Sequence, residues 1–201
     1  MATLCTRTEV KNALGISDNI DDSRIDISLE AATEMIQDYC GRQFLLDSTT
    51  SARIYNPDTT YLIYVDDIST TTGFAIATDD GGDGTFSNVW QTTDYQLEPL
   101  NQKVNGSTRP YNSIRAVATR YFPQDYGRAT VKVTARWGWS PIPNSVRQAA
   151  IIQTISIFKA PDAPFGATPF ADTGILRLRS ALHPTAAALL SDFRLEPIQV
   201  A

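Results

Sequence analysis

The part of this sequence that most resembles a metal site is the run Asp79-Asp80-Gly81-Gly82-Asp83-Gly84. An EF-hand loop requires oxygen ligands at its first, third and fifth positions and a bidentate Glu at its twelfth. In a loop that starts at Asp79, the third position is Gly81 and the twelfth is Trp90, and neither supplies a carboxylate. Asp and Gly are also the residues that tight turns prefer. The run therefore predicts a hairpin turn in preference to a calcium site.

Two other polar positions have side chains that are common in catalysis. Asp66 and Asp67 form a carboxylate pair suited to acid–base or Mg²⁺ chemistry. Adjacent residues of a strand point to opposite faces of the sheet, so we expect this pair to begin a turn instead. His183, the single histidine, precedes Pro184 at a predicted helix start, which favours a capping or surface role over catalysis.

The remaining reactive side chains indicate structural roles. Cys5 and Cys40 are expected to be free thiols in a reducing compartment, with Cys40 as a small core residue. Trp137 and Trp139 form either an exposed interaction ridge or an anchor for the next helix, and the anchor is favoured. The sequence has no glycine-rich phosphate loop, no G-x-S-x-G elbow and no C-x-x-C pair. It therefore predicts a protein that is not an enzyme and binds no cofactor.

The composition is that of a folded chain of modest size. Its 201 residues are 42% apolar and include 8 Phe, 8 Tyr and 3 Trp, which is enough to bury one sizeable core. The longest apolar run, residues 149–158, is far shorter than the roughly 20 residues that a membrane helix needs. Residues 1–9 lack the apolar core of a signal peptide, so we expect a cytoplasmic protein with no membrane partner.

Charge is divided unevenly along the chain. Residues 1–100 carry 17 acids and 5 bases, a net charge of −12, whereas residues 101–201 carry 12 bases and 5 acids, a net charge of +7. Solvated faces would explain this division, and so would a contact between the acidic half of one copy and the basic half of the next. Such a contact closes into a ring or continues as a filament. The total of −5 argues against tight DNA binding, although DNA would slide through an acidic lumen.

Helical periodicity marks several segments. A short helix is predicted at residues 8–15, with a Thr as its cap and Gly15 after its last apolar residue. The clearest helix has apolar residues at steps of three and four, namely Ile25, Leu29, Ala32, Ile36 and Tyr39. A second long helix is predicted at about 144–159, with a core face of Val146, Ala149, Ala150, Ile152, Ile155 and Phe158. Pro184 begins a last short helix.

Between the two long helices the periodicity is that of strands. Runs of β type lie at residues 53–55, 61–65, 74–77, 95–97, 114–118 and 129–135. They follow one another without intervening helices, which indicates an antiparallel sheet or a small barrel. The predicted fold class is therefore α+β: a small helical bundle of two long amphipathic helices plus short ones, with an inserted antiparallel β-sheet or small barrel and an extended C-terminal arm.

The predicted organisation has four parts. Residues 1–50 are the N-terminal helical part of the bundle, and residues 51–136 are the β insertion. Residues 137–166 are the second long helix and the loop after it, and residues 167–201 are a C-terminal arm and tail. Within the arm, apolar and basic side chains alternate over Ile175–Arg179, as they would in an extended segment.

Four pieces of the chain have a characteristic order. The first two are T-E-V-K-x₂-L-x-I at residues 8–16 and I-x₃-L-x-A-A-x₃-I-x₂-Y-x-G-R at residues 25–42. The last two are W-G-W-x₃-P-x₂-V-R-Q-A at residues 137–149 and F-K-x₂-D-A-P-F-G at residues 158–166. In this order and spacing they resemble the head-to-tail connector, or adaptor, proteins of long-tailed double-stranded DNA bacteriophages.

This resemblance implies a virion structural protein of the neck, the region between capsid and tail, that is made in the host cytoplasm. It implies a ring of twelve copies beneath the portal protein, which extends the DNA channel and docks the tail-terminator or stopper protein. Double-stranded DNA would pass through the lumen without sequence-specific binding. No catalysis, cofactor or metal is expected in this family.

Residues for two assembly roles are predicted from the charge division and the resemblance. Portal docking is assigned to the arm and tail: Ile175, Leu176, Arg177, Leu178, Arg179, Phe193 and Arg194. Contacts between subunits are assigned to Asp26, Glu30, Glu34, Asp38, Arg115, Arg120, Arg128 and Lys132. Two alternatives stay open. One is a tail-completion or stopper protein of the neck, and the other is a calcium- or carbohydrate-binding β domain of a phage particle with ligands Asp66, Asp67, Asp79 and Asp83.

Overall fold

The computed structural model of the chain describes residues 2–57, 59–104, 107–124, 127–162 and 182–195. The chain divides into two units, which we call the helical unit and the β unit. The helical unit is Met1–Arg42 with Ile142–Ala201, and the β unit is Gln43–Pro141. The predicted α+β class, a helical bundle with an inserted antiparallel sheet, is confirmed. The predicted arm at Ile175–Arg179 lies outside the described residues.

The described residues of the helical unit form four α-helices: α1 (Arg7–Leu14), α2 (Asp22–Cys40), α3 (Asn144–Lys159) and α4 (Pro184–Leu190). Helix α1 begins one residue earlier than predicted, and its cap is Thr6. The Thr6 hydroxyl accepts a hydrogen bond from the Glu9 amide (3.2 Å), and the Glu9 carboxylate accepts one from the Thr6 amide (2.7 Å). This reciprocal pair is a capping box. No described helix has the length and apolar character needed to span a membrane.

The apolar faces of α2 and α3 form the core of the helical unit. In α2 the predicted stripe is buried from Ile25 to Ile36, and Gly41 ends the helix in the left-handed conformation. Helix α3 has the predicted bounds, but its core face is rotated. Gln153 and Thr154 are buried, whereas Ile152 and Ile155 are only partly buried. Both polar side chains are hydrogen-bonded, which offsets the cost of burying them.

The β unit is built on an open antiparallel sheet. Its strands are β1 (Ser51–Tyr55), β2 (Leu62–Thr78), β3 (Asn88–Val89), β4 (Tyr95–Glu98), β7 (Tyr111–Ala116) and β8 (Val131–Trp137). A separate hairpin joins β5 (Lys103–Val104) and β6 (Ser107–Thr108). The strand order is β1-β8-β2-β7-β4, with β3 beside β2, so within the described residues β1 and β4 are edges and the sheet does not close into a barrel.

Strand β2 joins two predicted strands, 61–65 and 74–77, into one of 17 residues. Its first half pairs with β7, where Ile63 lies opposite Ile114, and its second half pairs with β8, where Ile76 lies opposite Val133. The register shifts between these halves, so that each presents its apolar residues to the same core. This core also contains Trp137, which is fully buried.

The two tryptophans near the end of β8 are buried within the β unit, so they do not form the exposed ridge, which was the less favoured of the two predicted roles. The Trp137 indole donates a hydrogen bond to the Ser51 carbonyl (3.0 Å), and its ring lies 4.5 Å from the Arg53 guanidinium. The Trp139 indole donates to the Asp67 carboxylate (2.7 Å), and its ring contacts Phe44. These contacts fix the end of β8 inside the unit.

The first and last segments of the β unit run side by side because Gly138 has no side chain. The Asp47 amide donates to the Trp137 carbonyl (2.9 Å) on one side of this glycine. Gly138 has φ +107°, and a Cβ there would lie 2.8 Å from the Leu45 carbonyl carbon and the Leu46 Cα. Real Cβ atoms do not approach backbone this closely, so the position requires glycine.

We expect Gly138→Ala to lower the free energy of unfolding of the β unit by about 3 kcal/mol, because strain and overlap with backbone add together. The matched control is Gly84→Ala, where φ is +89° but no atom lies within 4 Å of the added carbon, and a loss of about 1 kcal/mol is expected. Urea unfolding followed by tryptophan fluorescence measures both, since all three tryptophans belong to this unit. Equal losses for the two variants would contradict the backbone overlap.

Candidate assembly surfaces

The acidic face predicted on α2 is partly neutralised by α1. The Arg7 guanidinium binds Asp22 (2.8 Å) and Asp26 (2.5 Å), and the Lys11 ammonium binds Asp22 (2.7 Å). The Lys11 ammonium, followed by the Arg7 guanidinium, holds the pKa of Asp22 below its usual value. Asp26, a predicted subunit contact, therefore has a partner in its own chain.

The rest of that face remains available to another molecule. Glu34 and Asp38 are exposed, and neither has an ion-pair partner among the described residues. Ile27 lies seven residues before Glu34 on the same stripe of α2, and 69% of it is exposed. A stripe of one helix that carries an exposed isoleucine and, two turns and more further on, two carboxylates suits a partner with apolar and basic groups. Glu30, the fourth predicted acid, is half-buried.

The predicted basic contacts all interact with their own chain. Arg115 binds Glu98 (2.8 Å), and the Arg115 guanidinium lowers the pKa of that carboxyl group. Arg120 binds Asp94 (3.0 Å), whose pKa is lowered first by the backbone amide of Gln91 and then by Arg120. Arg128 donates to a backbone carbonyl, and Lys132 lies over an aromatic ring. The ion pairs Arg115–Glu98 and Arg120–Asp94 each join the acidic half of the sequence to its basic half.

The charge division along the sequence is therefore not a division between the two units. The helical unit takes residues from both ends of the sequence and has 12 acids and 9 bases, a net charge of −3. The β unit has 10 acids and 8 bases, a net charge of −2. A contact between oppositely charged halves consequently has to be sought in local patches.

The start of the C-terminal tail binds the end of α2. The Arg42 side chain donates to the Phe193 carbonyl (2.8 Å), and the Leu195 amide donates to the Cys40 carbonyl (2.9 Å). The Arg194 guanidinium lies 5.0 Å from the centre of the Tyr39 ring. The bond from the Leu195 amide satisfies the Cys40 carbonyl, one of the carbonyls at the end of a helix that have no partner within the helix. Two predicted portal-docking residues, Phe193 and Arg194, are thus placed at this helix end, while Ile175–Arg179 lie outside the described residues.

Sequence reasoning missed the residues that hold this tail. Arg42 directly follows the Gly41 cap, at the helix end where the helix dipole favours a positive charge. Its position after the helix cap was the feature from which a contact at this helix end could have been predicted. The bonding partner is 151 residues away in the sequence, and helical periodicity carries no information at that distance.

The Asp-rich run is a turn, as predicted, and its first carboxylate is enclosed. The two Asp79 oxygens accept hydrogen bonds from the amides of Asp83 (3.2 Å) and Gly84 (2.7 Å). Burial raises the pKa of Asp79, but these amides outweigh that effect and hold the pKa below its usual value. The backbone of the turn therefore occupies the positions that a cation would need.

The other candidate ligands do not converge with this turn. Asp66 binds Arg53 (2.7 Å) and the Tyr55 hydroxyl (2.8 Å), and burial, followed by this contact with Asp66, raises the pKa of that tyrosine. Asp67 is buried and binds the Trp139 indole. In the part of the chain that the structure describes, no three acidic, histidine or cysteine side chains are grouped as a metal site.

The histidine and the cysteines have the structural positions predicted for them. His183 caps α4, where its Nδ1 accepts from the Thr185 amide (3.2 Å). Its own amide donates to Gln153 of α3 (2.8 Å). Cys5 and Cys40 are buried thiols, and burial raises the pKa of each to about 11. A raised pKa lowers the thiolate fraction at neutral pH, which is typical of buried structural cysteines.

Comparison with protein families supports the resemblance seen in the sequence. Residues 5–80 match the family model of the phage gp6-like head-tail connector protein. The matched region contains α1, α2 and the β unit as far as the Asp-rich turn. No curated protein matches the chain significantly.

Solved structures have the same fold over nearly the whole chain. A chain from the neck of an empty gene transfer agent (GTA) particle, computed with C6 symmetry, is similar with a TM-score of 0.56 and 15% identity. The alignment covers 96% of this chain and 91% of that one. A chain from the neck of a native GTA particle, computed with C12 symmetry, has a TM-score of 0.52 and 13% identity, with coverages of 96% and 90%. A chain from a native GTA virion has a TM-score of 0.54 and 15% identity, with coverages of 96% and 91%.

We expect Asp79→Asn to lower the urea midpoint at pH 7, because the asparagine side chain has no charge and its one oxygen replaces two acceptors, so an amide of the turn loses its partner. Folding lowers the pKa of Asp79, so its carboxylate stabilises the folded state at pH values above the pKa of the unfolded chain. This stabilisation is lost as the pH falls through the pKa of the folded protein. The difference between variant and wild type should therefore shrink below about pH 4.

Thermal melts of the wild type should coincide in excess calcium and in chelator. A calcium-dependent rise in Tm that Asp79→Asn abolishes would restore the calcium-site alternative.

Proposed function

We propose that this protein is a head-to-tail adaptor, a virion structural protein of the neck. The match of residues 5–80 to the head-tail connector family is the observation that carries the proposal. The fold shared with chains from GTA necks supports it over the remaining length. The side chains that suggested chemistry in the sequence are bonded within their own turns and strands, which agrees with a structural role.

The adaptor forms a ring beneath the portal and extends the DNA channel. The C6 and C12 symmetry of the GTA necks supports a closed ring, and we propose twelve copies here. A ring needs two unlike surfaces on each subunit, because neighbours meet head to tail. The α2 surface with Ile27, Glu34 and Asp38 is one such surface. Double-stranded DNA passes through the lumen without sequence-specific binding, as expected for a chain with net charge −5.

The ring docks portal on one side and the tail-terminator or stopper protein on the other. For the portal side we propose Ile175–Arg179 together with the chain beyond Leu195. Phe193 and Arg194 serve this docking indirectly, since they fix the start of that tail to the end of α2. The docking residues and the anchoring residues are therefore separate, and truncation can distinguish them.

We expect a chain ending at Leu195 to keep the wild-type Tm and to lose attachment to portal-bearing capsids. A chain ending at Asp192 should also melt at a lower temperature, because it lacks the bonds to Arg42 and Cys40. Differential scanning calorimetry and co-sedimentation with tail-less capsids measure the two properties. Wild-type attachment by the chain ending at Leu195 would refute a docking role for the tail.

A charge reversal tests the arm in the full-length protein. Arg177→Glu with Arg179→Glu should weaken attachment to portal-bearing capsids, whereas Lys159→Glu, an exposed base at the end of α3, should leave it unchanged. Electron microscopy of the capsids then locates the ring. Density directly beneath the portal supports the adaptor, and density one layer further from the capsid would identify a stopper instead.

A further inference from the structure

Strands β4 and β7 form a ribbon with a different feature at each end. They are antiparallel, with Tyr95 opposite Ala116 at one end and Glu98 opposite Ser113 at the other. Beyond Glu98 the chain turns into the β5–β6 hairpin. Beyond Ala116 it forms one wall of a cleft. The hairpin and the cleft therefore lie at opposite ends of the same ribbon.

The cleft is small, polar at its wall and aromatic at its base. Its volume is about 230 Å³, and its lining includes Asp80, Asn88, Trp90, Thr119, Arg120 and Tyr121. Trp90 is stacked on Phe122 with ring centres 4.7 Å apart. The Asp80 carboxylate is held by the Thr78 hydroxyl and the Asn88 amide, both at 2.7 Å. Arg120 is already paired with Asp94, so Asp80 leaves the cleft with a net negative charge.

The wall of the cleft is held in a strained conformation. Ala118 has φ +58°, a left-handed value that costs an alanine about 1 kcal/mol or more. The turn is fixed by bonds from the Val117 amide to the Asp94 carbonyl (3.0 Å) and from the Arg120 amide to the Val117 carbonyl (3.1 Å). Tyr121 follows with 60% of its surface exposed. Such strain is concentrated at binding sites, where a fixed shape is required.

The hairpin at the other end has the complementary character. Asn101 and Gln102 have φ +57° and +53°, and they turn the chain out of the sheet. The Gln102 side chain donates to the Ser69 carbonyl (3.1 Å), which fixes the base of the hairpin. Leu100, in the turn before the hairpin, is 57% exposed, and Lys103 is exposed with its ammonium donating to the Thr108 hydroxyl (2.6 Å), so this end of the ribbon carries an apolar and a cationic side chain.

We propose that the β5–β6 hairpin of one copy docks in the Trp90 cleft of the next copy. The Lys103 ammonium of the first copy binds Asp80 of the second, and Leu100 packs against the exposed Tyr121 ring. Because the two surfaces are unlike and lie at opposite ends of one ribbon, the contact is head to tail and repeats around a ring. The inference rests on the proposed ring and names one of its subunit contacts.

Cysteine pairing between two variants tests the contact directly. Full-length Asp80→Cys and Lys103→Cys chains with tags of different mass are mixed on portal-bearing capsids and treated with a mild oxidant. The expected product is a heterodimer, which contains one chain of each kind. The matched control replaces Lys103→Cys with Lys159→Cys, which is exposed on the helical unit and should not pair. Absence of the heterodimer, or equal yield with the control, would overturn the proposal.

Charge exchange gives a second readout. Asp80→Lys and Lys103→Glu should each reduce the number of copies bound per capsid by about tenfold, and the double variant should restore it. Asp80→Asn, which keeps the shape of the side chain, should give a smaller loss, and a thermal melt confirms that each variant folds. If both single variants bind like wild type, the hairpin contact is wrong and the adaptor function stands. If wild type does not bind, both proposals fail.

Discussion

The β unit depends on holding its first and last segments together. It is inserted between α2 and α3, so its entry and exit must lie side by side for both helices to belong to one unit. Backbone bonds between Asp47 and Trp137, and between Trp139 and Phe44, make this connection. Gly138 is the residue that permits the approach, and two buried indoles lock it. The missing side chain at Gly138 thus allows the first and last segments of this 99-residue unit to approach each other.

The charged side chains of this protein are paired according to which residues the fold brings into contact, and not according to the half of the sequence in which they lie. Arg115 and Arg120 pair with Glu98 and Asp94, which lie in the other half of the sequence but on the same ribbon or its adjoining loops. Antiparallel pairing brings such distant residues together, and it cancels a division that looks large in sequence. Among the described residues, Asp80 and Glu34 have no ion-pair partner in this chain. These local charges are the ones on which subunit recognition can act.

Sequence patterns predicted the helices and strands whose formation depends on their own residues. The bounds of α3, the buried stripe of α2 and the strand character of the insertion all follow from local periodicity. The patterns did not predict the burial of Gln153, which depends on an amide 30 residues away, or the tail bound to Arg42. They also missed the cap at Thr6, although the T-x-x-E signature was present. Among the candidate ligands, the turn at Asp79 was predicted correctly because turn chemistry is local.

The length of β2 has a consequence for how the β unit loses structure. One half of this strand belongs to the pair with β7, and the other half to the pairs with β8 and β3. Neither half of the sheet can open without disturbing a strand that the other half shares. Local openings are therefore coupled, and we expect the sheet to unfold as one cooperative unit, with similar protection of its amides from hydrogen exchange on both sides of the register shift. The described part of the sheet therefore has no half that melts independently of the other.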